Sequence, residues 1–360
     1  MATQCKVAFV SSGVALKERV NTEENRCHAS RSYDHGDGWP HKASRRNSLH
    51  PLTILCYHRV SRDTRLNSYC SSALSASQFY EQMNYLWRSY EVLPIEEALL
   101  LLDAGALPRK AVSITFDDGY LELMEVAFPV LRDLRLSATV FLVAEHVGSG
   151  LPFWWEEVAF RLRMLHKEAA IQSLRVIGLE VSVQRPGWIF KIIDALKGIP
   201  TRLREEFLGT LRESTGGVHL PRMSLNWEEV RKAQTWGISL GSHSLTHPIL
   251  PLLSDEALER ELRVSREIIE SMTGATCRLL AYPNGDYDDR VRAAAQRAGY
   301  RWAVTMERGR NGPRTNPLAL RRHPVYASYS KPWFAAVLRG WLDLPPWVFR
   351  LVREVRNHKI

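Results

Sequence analysis

From residue 52 the chain switches repeatedly between two kinds of apolar spacing. The run 52–58, LTILCYH, is rich in β-branched and aromatic residues and predicts a strand. Over 75–91, Phe79, Met83, Leu86 and Trp87 recur at helical spacing behind Ser75 or Ser77 as the cap, which predicts a helix. The alternation continues with helices over 95–102, 122–134, 227–235, 255–272 and 288–298. Between them fall strands at 111–116, 138–143, 238–241, 278–282, 301–305 and around 318–325. Strands alternating with helices imply a parallel sheet in an α/β fold. Closed into a barrel, that sheet would carry its working residues at the carboxyl ends of the strands. An open doubly wound sheet is the alternative, although no GxGxxG or P-loop follows any strand.

Two stretches break the rhythm. Between about 150 and 222 the strands stop, and helical periods at 156–167, 188–196 and 202–212 mark an inserted helical subdomain beside the site. Residues 1–49 show no sustained period and have the polar, glycine-containing and basic composition of a disordered leader.

Composition narrows the class. A hydrophobic share of 45% and a charged share of 24% argue against wholesale disorder. The apolar stretch 333–352 is broken by Arg339, Asp343, Pro345, Pro346 and Arg350, so it cannot cross a bilayer as a clean helix. The segment 7–16 is too polar for a secretory signal. A soluble, cytoplasmic protein is expected. Five scattered cysteines with no CxxC pair suggest neither a thiolate zinc site nor a disulfide framework, and fit a reducing compartment.

The net charge of +9 is confined to one end. From Arg301 onward there are 12 Lys+Arg against 3 Asp+Glu, and the first 300 residues hold 36 of each. No duplex-reading module accompanies the charge, so no nucleic-acid partner is expected. The 329–360 segment reads as a basic, Trp-rich helical tail whose 333–360 portion could lie against an anionic membrane. The competing reading is a helix that covers one end of the barrel.

Three strand ends carry candidate chemistry. Residues 111–120, AVSITFDDGY, end a strand in two adjacent carboxylates and a glycine. Neighbours on a strand face opposite ways, so Asp117 and Asp118 can share one site only if the chain bends there, as Gly119 permits. The competing reading is a helix cap. In GSHSLTH, His243 and His247 stand at i and i+4, one face of a helical turn, so both could reach one cation. Two histidines and one carboxylate leave coordination positions open, as a catalytic metal needs. The third stretch, RLLAYPNGDY at 278–287, is turn chemistry where a barrel would open.

TFDDG at 115–119, HSLTH at 243–247 and AYPNG at 281–285, in that order, resemble the motifs of the polysaccharide deacetylase superfamily, the NodB-homology carbohydrate esterases. LCYHRV at 55–60 and the segment 227–238 are similar to its exopolysaccharide-associated branch. The resemblance covers about 51–326 and gives a deacetylase domain over 50–328. It implies a distorted (β/α) barrel, a divalent metal (zinc most often), and removal of N-acetyl groups from an N-acetylated glycan built of N-acetylhexosamines. It further implies that Asp118, His243 and His247 hold the metal and that Asp117 is the general base toward the attacking water. A backbone N–H in the turn of Tyr282, Asn284 and Gly285 would be an oxyanion donor. The arginine that many members carry before the proline of the third motif is replaced by Ala281 and Tyr282. Tuning of Asp117 therefore falls to Arg278 or Arg322, and Arg322 fits an arginine of some branches. His323 is the candidate general acid, offset by one position from the usual spacing, and His58 is expected to line the pocket. Trp154, Trp155 and Tyr282 could stack on sugar rings. A C–N hydrolase acting on a small amide and a catalytically weak glycan-binding module are the alternatives.

Overall fold

The computed structural model describes residues 50–62, 73–178 and 187–341; the expectations for 1–49 and for 342–360 fall outside it. Ten strands are described: β1 (Thr53–Tyr57), β2 (Val60–Ser61), β3 (Leu74–Ser75), β4 (Glu91–Val92), β5 (Ala111–Phe116), β6 (Ala138–Leu142), β7 (Ile238–Ser242), β8 (Leu279–Ala281), β9 (Trp302–Val304) and β10 (His323–Pro324). The main sheet runs β10-β1-β5-β6-β7-β8-β9, with β4 beside the start of β5, and every pair is parallel. A bridge from Val304 to Leu320 draws the last strand toward the first, so the curled sheet takes the distorted barrel form. β1 and β5 are buried at every position, as strands covered on both faces must be.

Helices α1 (Ala76–Ser89), α2 (Ile95–Asp103) and α3 (Phe128–Leu134) cover the first half of the sheet. α8 (Trp227–Thr235), α9 (Asp255–Thr273), α10 (Asp289–Arg297) and α11 (Lys331–Leu338) cover the second. Between them α4 (Trp154–Met164), α5 (Lys167–Val176), α6 (Trp188–Lys197) and α7 (Thr201–Ser214) form the inserted subdomain. The two sheet faces bury separate clusters. One joins Ile54, Phe141, Leu279 and Val304 to Ile95, Leu99 and Leu102 of α2. The other joins Leu55, Ile114, Val140 and Leu280 to the remaining helices and to the insertion. α11 buries Phe334, Val337 and Leu338 in that second cluster. Among the described residues no helix is long and apolar enough to cross a membrane.

Of the two expected caps, Ser75 is the one that caps α1: its Oγ accepts from the Gln78 N–H at 3.2 Å, and Gln78 Oε1 accepts from the Ser75 N–H at 3.4 Å. Several elements depart from the sequence reading. The helix expected over 122–134 begins as a π-turn, Leu123–Ala127, because Pro129 at the start of α3 offers no N–H to continue an ordinary helix backward. Among the described residues the insertion has four helices rather than three. The strand expected around 318–325 shrinks to His323–Pro324, where the proline removes a ladder donor.

Candidate active site

β5 delivers both carboxylates. Asp117 leaves the strand with its N–H on the Tyr57 carbonyl at 2.9 Å. The backbone then turns, with φ 70° at Asp118 and 76° at Gly119. A left-handed residue that carries a Cβ costs about 1–2 kcal/mol. At Gly119 a Cβ would also stand 2.8 Å from Leu142 Cδ2. Four of the six described non-glycine residues with positive φ (Asp118, Ser244, His247 and Asn284) lie in the three motifs. Strain of this kind collects at functional sites.

The histidine pair does not sit on a helical turn. Residues 243–247 form an irregular loop after β7, with φ 64° at Ser244 and 62° at His247. Glu261 of α9 ties the loop down, accepting from the Leu245 and Thr246 N–H groups at 2.9 and 3.0 Å and from the Thr246 hydroxyl at 2.7 Å. Ser244 Oγ accepts from the His247 N–H at 3.0 Å. The loop brings both imidazoles to one carboxylate: each Nε2 lies 3.6 Å from Asp118 Oδ1.

Protonation follows from the surroundings. His243 Nδ1 lies 2.8 Å from the Ala281 carbonyl, which can only accept, so Nδ1 carries the hydrogen and Nε2 presents a lone pair. Burial pushes the His243 imidazole down to about 4. Burial, reinforced by His243, holds His247 well below its ordinary value, so both rings are neutral. Burial, then Asp117 and Glu156, push the Asp118 carboxyl well above the usual carboxylate range. Two neutral imidazoles around a buried carboxylate form a donor set short of positive charge, with ligand atoms within 4.8 Å of one another. That set fits a divalent cation with open positions.

Cys56, His58 and Asp117 also converge, but there the positive charge is already present. Arg322, fully buried, donates from Nη1 and Nη2 to the two Asp117 oxygens, each at 2.7 Å. Burial alone would raise the Asp117 carboxyl; the guanidinium overrides it and holds the group well below its ordinary range. Arg278, the other candidate tuner, is half-exposed and lies 3.6 Å from Glu96.

A cavity of about 230 Å³ opens above these groups. Asp117, Asp118, His243, His247 and His58 form its floor, and Trp154, Ile193, Lys197 and Arg204 bring the inserted subdomain to its wall. His58 Nε2 lies 3.9 Å from Asp117 Oδ2, with the side chain 39% exposed toward the cavity. His323 is buried on β10 opposite Leu55 and does not line the cavity; its neighbour Arg322 takes the facing position.

The third motif divides. Asn284 lines the cavity and accepts from Lys197 Nζ at 2.8 Å. Tyr282 is buried away from it, donating from its hydroxyl to the Leu318 carbonyl at 2.9 Å and stacking on Tyr287, and is not positioned for a sugar ring. The N–H groups of Tyr282 and Gly285 are taken by the Val304 and Tyr282 carbonyls, at 3.1 and 2.8 Å. Gly285 is required by space: with φ 85°, a Cβ would stand 2.6 Å from Met306 Cβ.

Trp155 braces the histidines, its ring centred 4.6 Å from His247 and its Nε1 donating to Tyr120 Oη at 2.9 Å. Tyr120 donates in turn to Glu156, which is buried and paired with Arg59. The sequence reading did not find Tyr120, Glu156, Glu261, Lys197 or Arg204. Only Tyr120, directly after the DDG motif, carried a positional signal.

A curled parallel sheet with catalytic-type carboxylates and histidines at its strand ends defines a barrel hydrolase. The family description for polysaccharide deacetylases matches residues 104–303, and the chain belongs to that family. YxkH of Bacillus subtilis (strain 168), which bears the polysaccharide deacetylase name, is 24% identical over 80% of this chain and 76% of its own length. The poly-beta-1,6-N-acetyl-D-glucosamine N-deacetylase of Staphylococcus aureus is 32% identical over 106 residues, which span 36% of that protein. The fold is shared with the Streptococcus pyogenes deacetylase PplD, solved with acetate (TM-score 0.56, 18% identity, 80% of this chain and 98% of that one). It is shared equally with IcaB from Ammonifex degensii (TM-score 0.54, 20% identity, 81% and 96%).

Proposed function

We propose that this carbohydrate deacetylase removes the acetyl group from N-acetylhexosamine residues of a polysaccharide or oligosaccharide, with zinc as the ion that suits its donor set. The observation that carries the reading is Asp117, held ionised by Arg322, on the same cavity floor as the Asp118, His243 and His247 cluster. Asp118, His243 and His247 would hold the divalent cation, which would supply Lewis acidity and lower the pKa of a water toward neutrality. Asp117 takes the proton of that attacking water as the oxygen–carbon bond forms. Its depressed pKa keeps it unprotonated at neutral pH, and the two guanidinium bonds fix its direction. When the carbon–nitrogen bond breaks, the leaving nitrogen needs a proton. We assign that donation to His58, which lines the cavity beside Asp117 whereas His323 does not; burial lowers the His58 pKa, so the proton it gives is the one Asp117 has taken from the water. Acetate and a free amine result. Of that turn's expected residues Asn284 lines the cavity; its side-chain amide donates to Asp286, so the oxyanion donor we assign there is its backbone N–H.

The same reading has the enzyme working in the cytoplasm with its basic end on an anionic membrane. What supports it is Trp333 on α11 and Trp341 beyond its end, 43% and 61% exposed, near Lys331 and Arg339 in the chain, while α11 buries Phe334, Val337 and Leu338. The deacetylase reading is tested by acetate release from N-acetylglucosamine oligomers. Release should vanish after chelation and return with one equivalent of zinc; release that ignores chelation contradicts it.

A further inference from the structure

The cavity's helical wall holds a buried cation that the described residues leave without a counter-charge. Arg204, in the first turn of α7, lines the cavity and is only 7% exposed. Its guanidinium lies over the Trp154 ring, 4.5 Å from the centroid, and it has no ion pair or hydrogen-bond acceptor among the described residues. Arg204 Nε and Trp154 Nε1, from two side chains of the same wall, are both buried donors without an acceptor. Burial pushes the guanidinium below its ordinary value, and Glu205, its exposed chain neighbour, offsets only part of that.

Lys197, at the end of α6, adds a second positive charge to the wall. It donates to Asn284 and lies 3.6 Å from the exposed Asp194. Lys197 and Arg204 also line a second hollow between the α6–α7 corner and the segment 248–254, so both stand between it and the catalytic cavity. The other buried arginines of the site are matched internally: Arg322 by Asp117, and Arg59 by Glu156 and Glu122. An unmatched buried arginine is costly. A wall of donors without acceptors suits a ligand that brings the acceptor, and a guanidinium is shaped for carboxylate or phosphate oxygens.

We propose that Arg204 and Lys197 form a subsite for an oxyanion carried by the glycan next to the acetylated sugar, so that the preferred substrate is an acidic glycan. This rests on the deacetylase reading for its setting. A uronate carboxylate and a sugar phosphate share the required chemistry.

The test uses the full chain carrying Asp117→Asn, loaded with zinc, so that binding is read without turnover. Calorimetry compares a hyaluronan tetrasaccharide with the neutral N-acetylglucosamine tetramer, and N-acetylglucosamine 1-phosphate with the neutral monosaccharide. At least one anionic probe should bind about tenfold more tightly than its neutral counterpart, a difference of about 1.4 kcal/mol. The arm that shows it names the source of the oxyanion. Adding Arg204→Gln should remove the preference and Arg204→Lys should keep most of it. Lys197→Gln, on a partly exposed side chain that can be replaced without disturbing the core, should reduce it severalfold. Equal binding of anionic and neutral probes overturns the proposal, as does a preference that survives both glutamine changes. Acetate release from the neutral tetramer by the unsubstituted enzyme is read separately. Its absence counts against the deacetylase reading, while the binding comparison still decides the subsite.

Discussion

The floor of the cavity and its helical wall handle charge in opposite ways. On the floor, strand ends hold every acid in a defined relation to a cation: Asp117 is clamped by Arg322, and Asp118 faces two neutral imidazoles that leave room for a metal ion. On the wall, the insertion offers Arg204 and Lys197 with little internal compensation. A group that performs chemistry must keep one protonation state and one direction whether or not substrate is present. A recognition surface can leave its donors open for the ligand to satisfy. The barrel supplies the reaction, and the insertion supplies a means of choosing among glycans.

The comparison can be broken most sharply at the floor. His243→Ala and His247→Ala would each remove one of the three proposed ligands, and both should lose most bound zinc per chain after gel filtration along with acetate release. Full metal stoichiometry in either variant would remove the residue from the metal site. Arg322→Met comes next. It leaves Asp117 buried without its partner, which should cost about 3–5 kcal/mol of stability. The pH dependence has a definite sign. Asp117 is depressed in the folded protein, so its pairing stabilises the fold above the ordinary carboxylate range and is lost as pH falls through the depressed value. Without Arg322, burial dominates and the carboxyl rises, so the acid limb of any residual activity should move to higher pH. An unmoved limb would show that Arg322 does not tune the base.

A smaller effect separates the two histidines considered for the general acid. His58→Gln should lower amide turnover about 10²-fold, the lower end for a positioned acid, and lower turnover of an acetyl ester with a good leaving group far less. Equal losses on both substrates would assign His58 to binding. The smallest effect is expected at Tyr282, whose hydroxyl serves the Leu318 carbonyl. Tyr282→Phe should cost about 1 kcal/mol in thermal unfolding and leave kcat/KM on the oligomer unchanged; a large loss of kcat/KM would place Tyr282 at the substrate.

The order of the long strands and of the helices other than α5 was legible because those strands are short branched apolar runs and those helices have a clean period, whereas the two-residue strands β2, β3 and β4 carry too few positions to show one. The floor was legible because its residues are adjacent in the chain: Asp117 beside Asp118, and His243 four residues from His247. Arg322 emerged as one of two candidates, and geometry chose it, because only a parallel strand beside β1 brings residue 322 to residue 117. The loop that carries the histidines was misread as a helical turn, since i and i+4 spacing cannot reveal positive φ at Ser244 and His247 or the grip of Glu261 on two backbone N–H groups. His323 was read from motif spacing, whereas strand alternation gives the facing position to Arg322. Of the wall, the insertion and Trp154 were legible, but its charges were not. Lys197 and Arg204 lie in amphipathic helices where a basic residue ordinarily marks solvent, and only tertiary packing turns them inward.

The central claim is that Asp117 is the base of a metal-assisted deacetylation, and it is tested most directly by acetate release from N-acetylglucosamine oligomers with the Asp117→Asn protein at full zinc occupancy. The amide keeps the shape of the side chain but cannot accept the water's proton. Turnover should fall by about 10²–10⁴-fold with the metal content unchanged. Turnover above about a tenth of the unsubstituted enzyme, at equal zinc, would contradict the account.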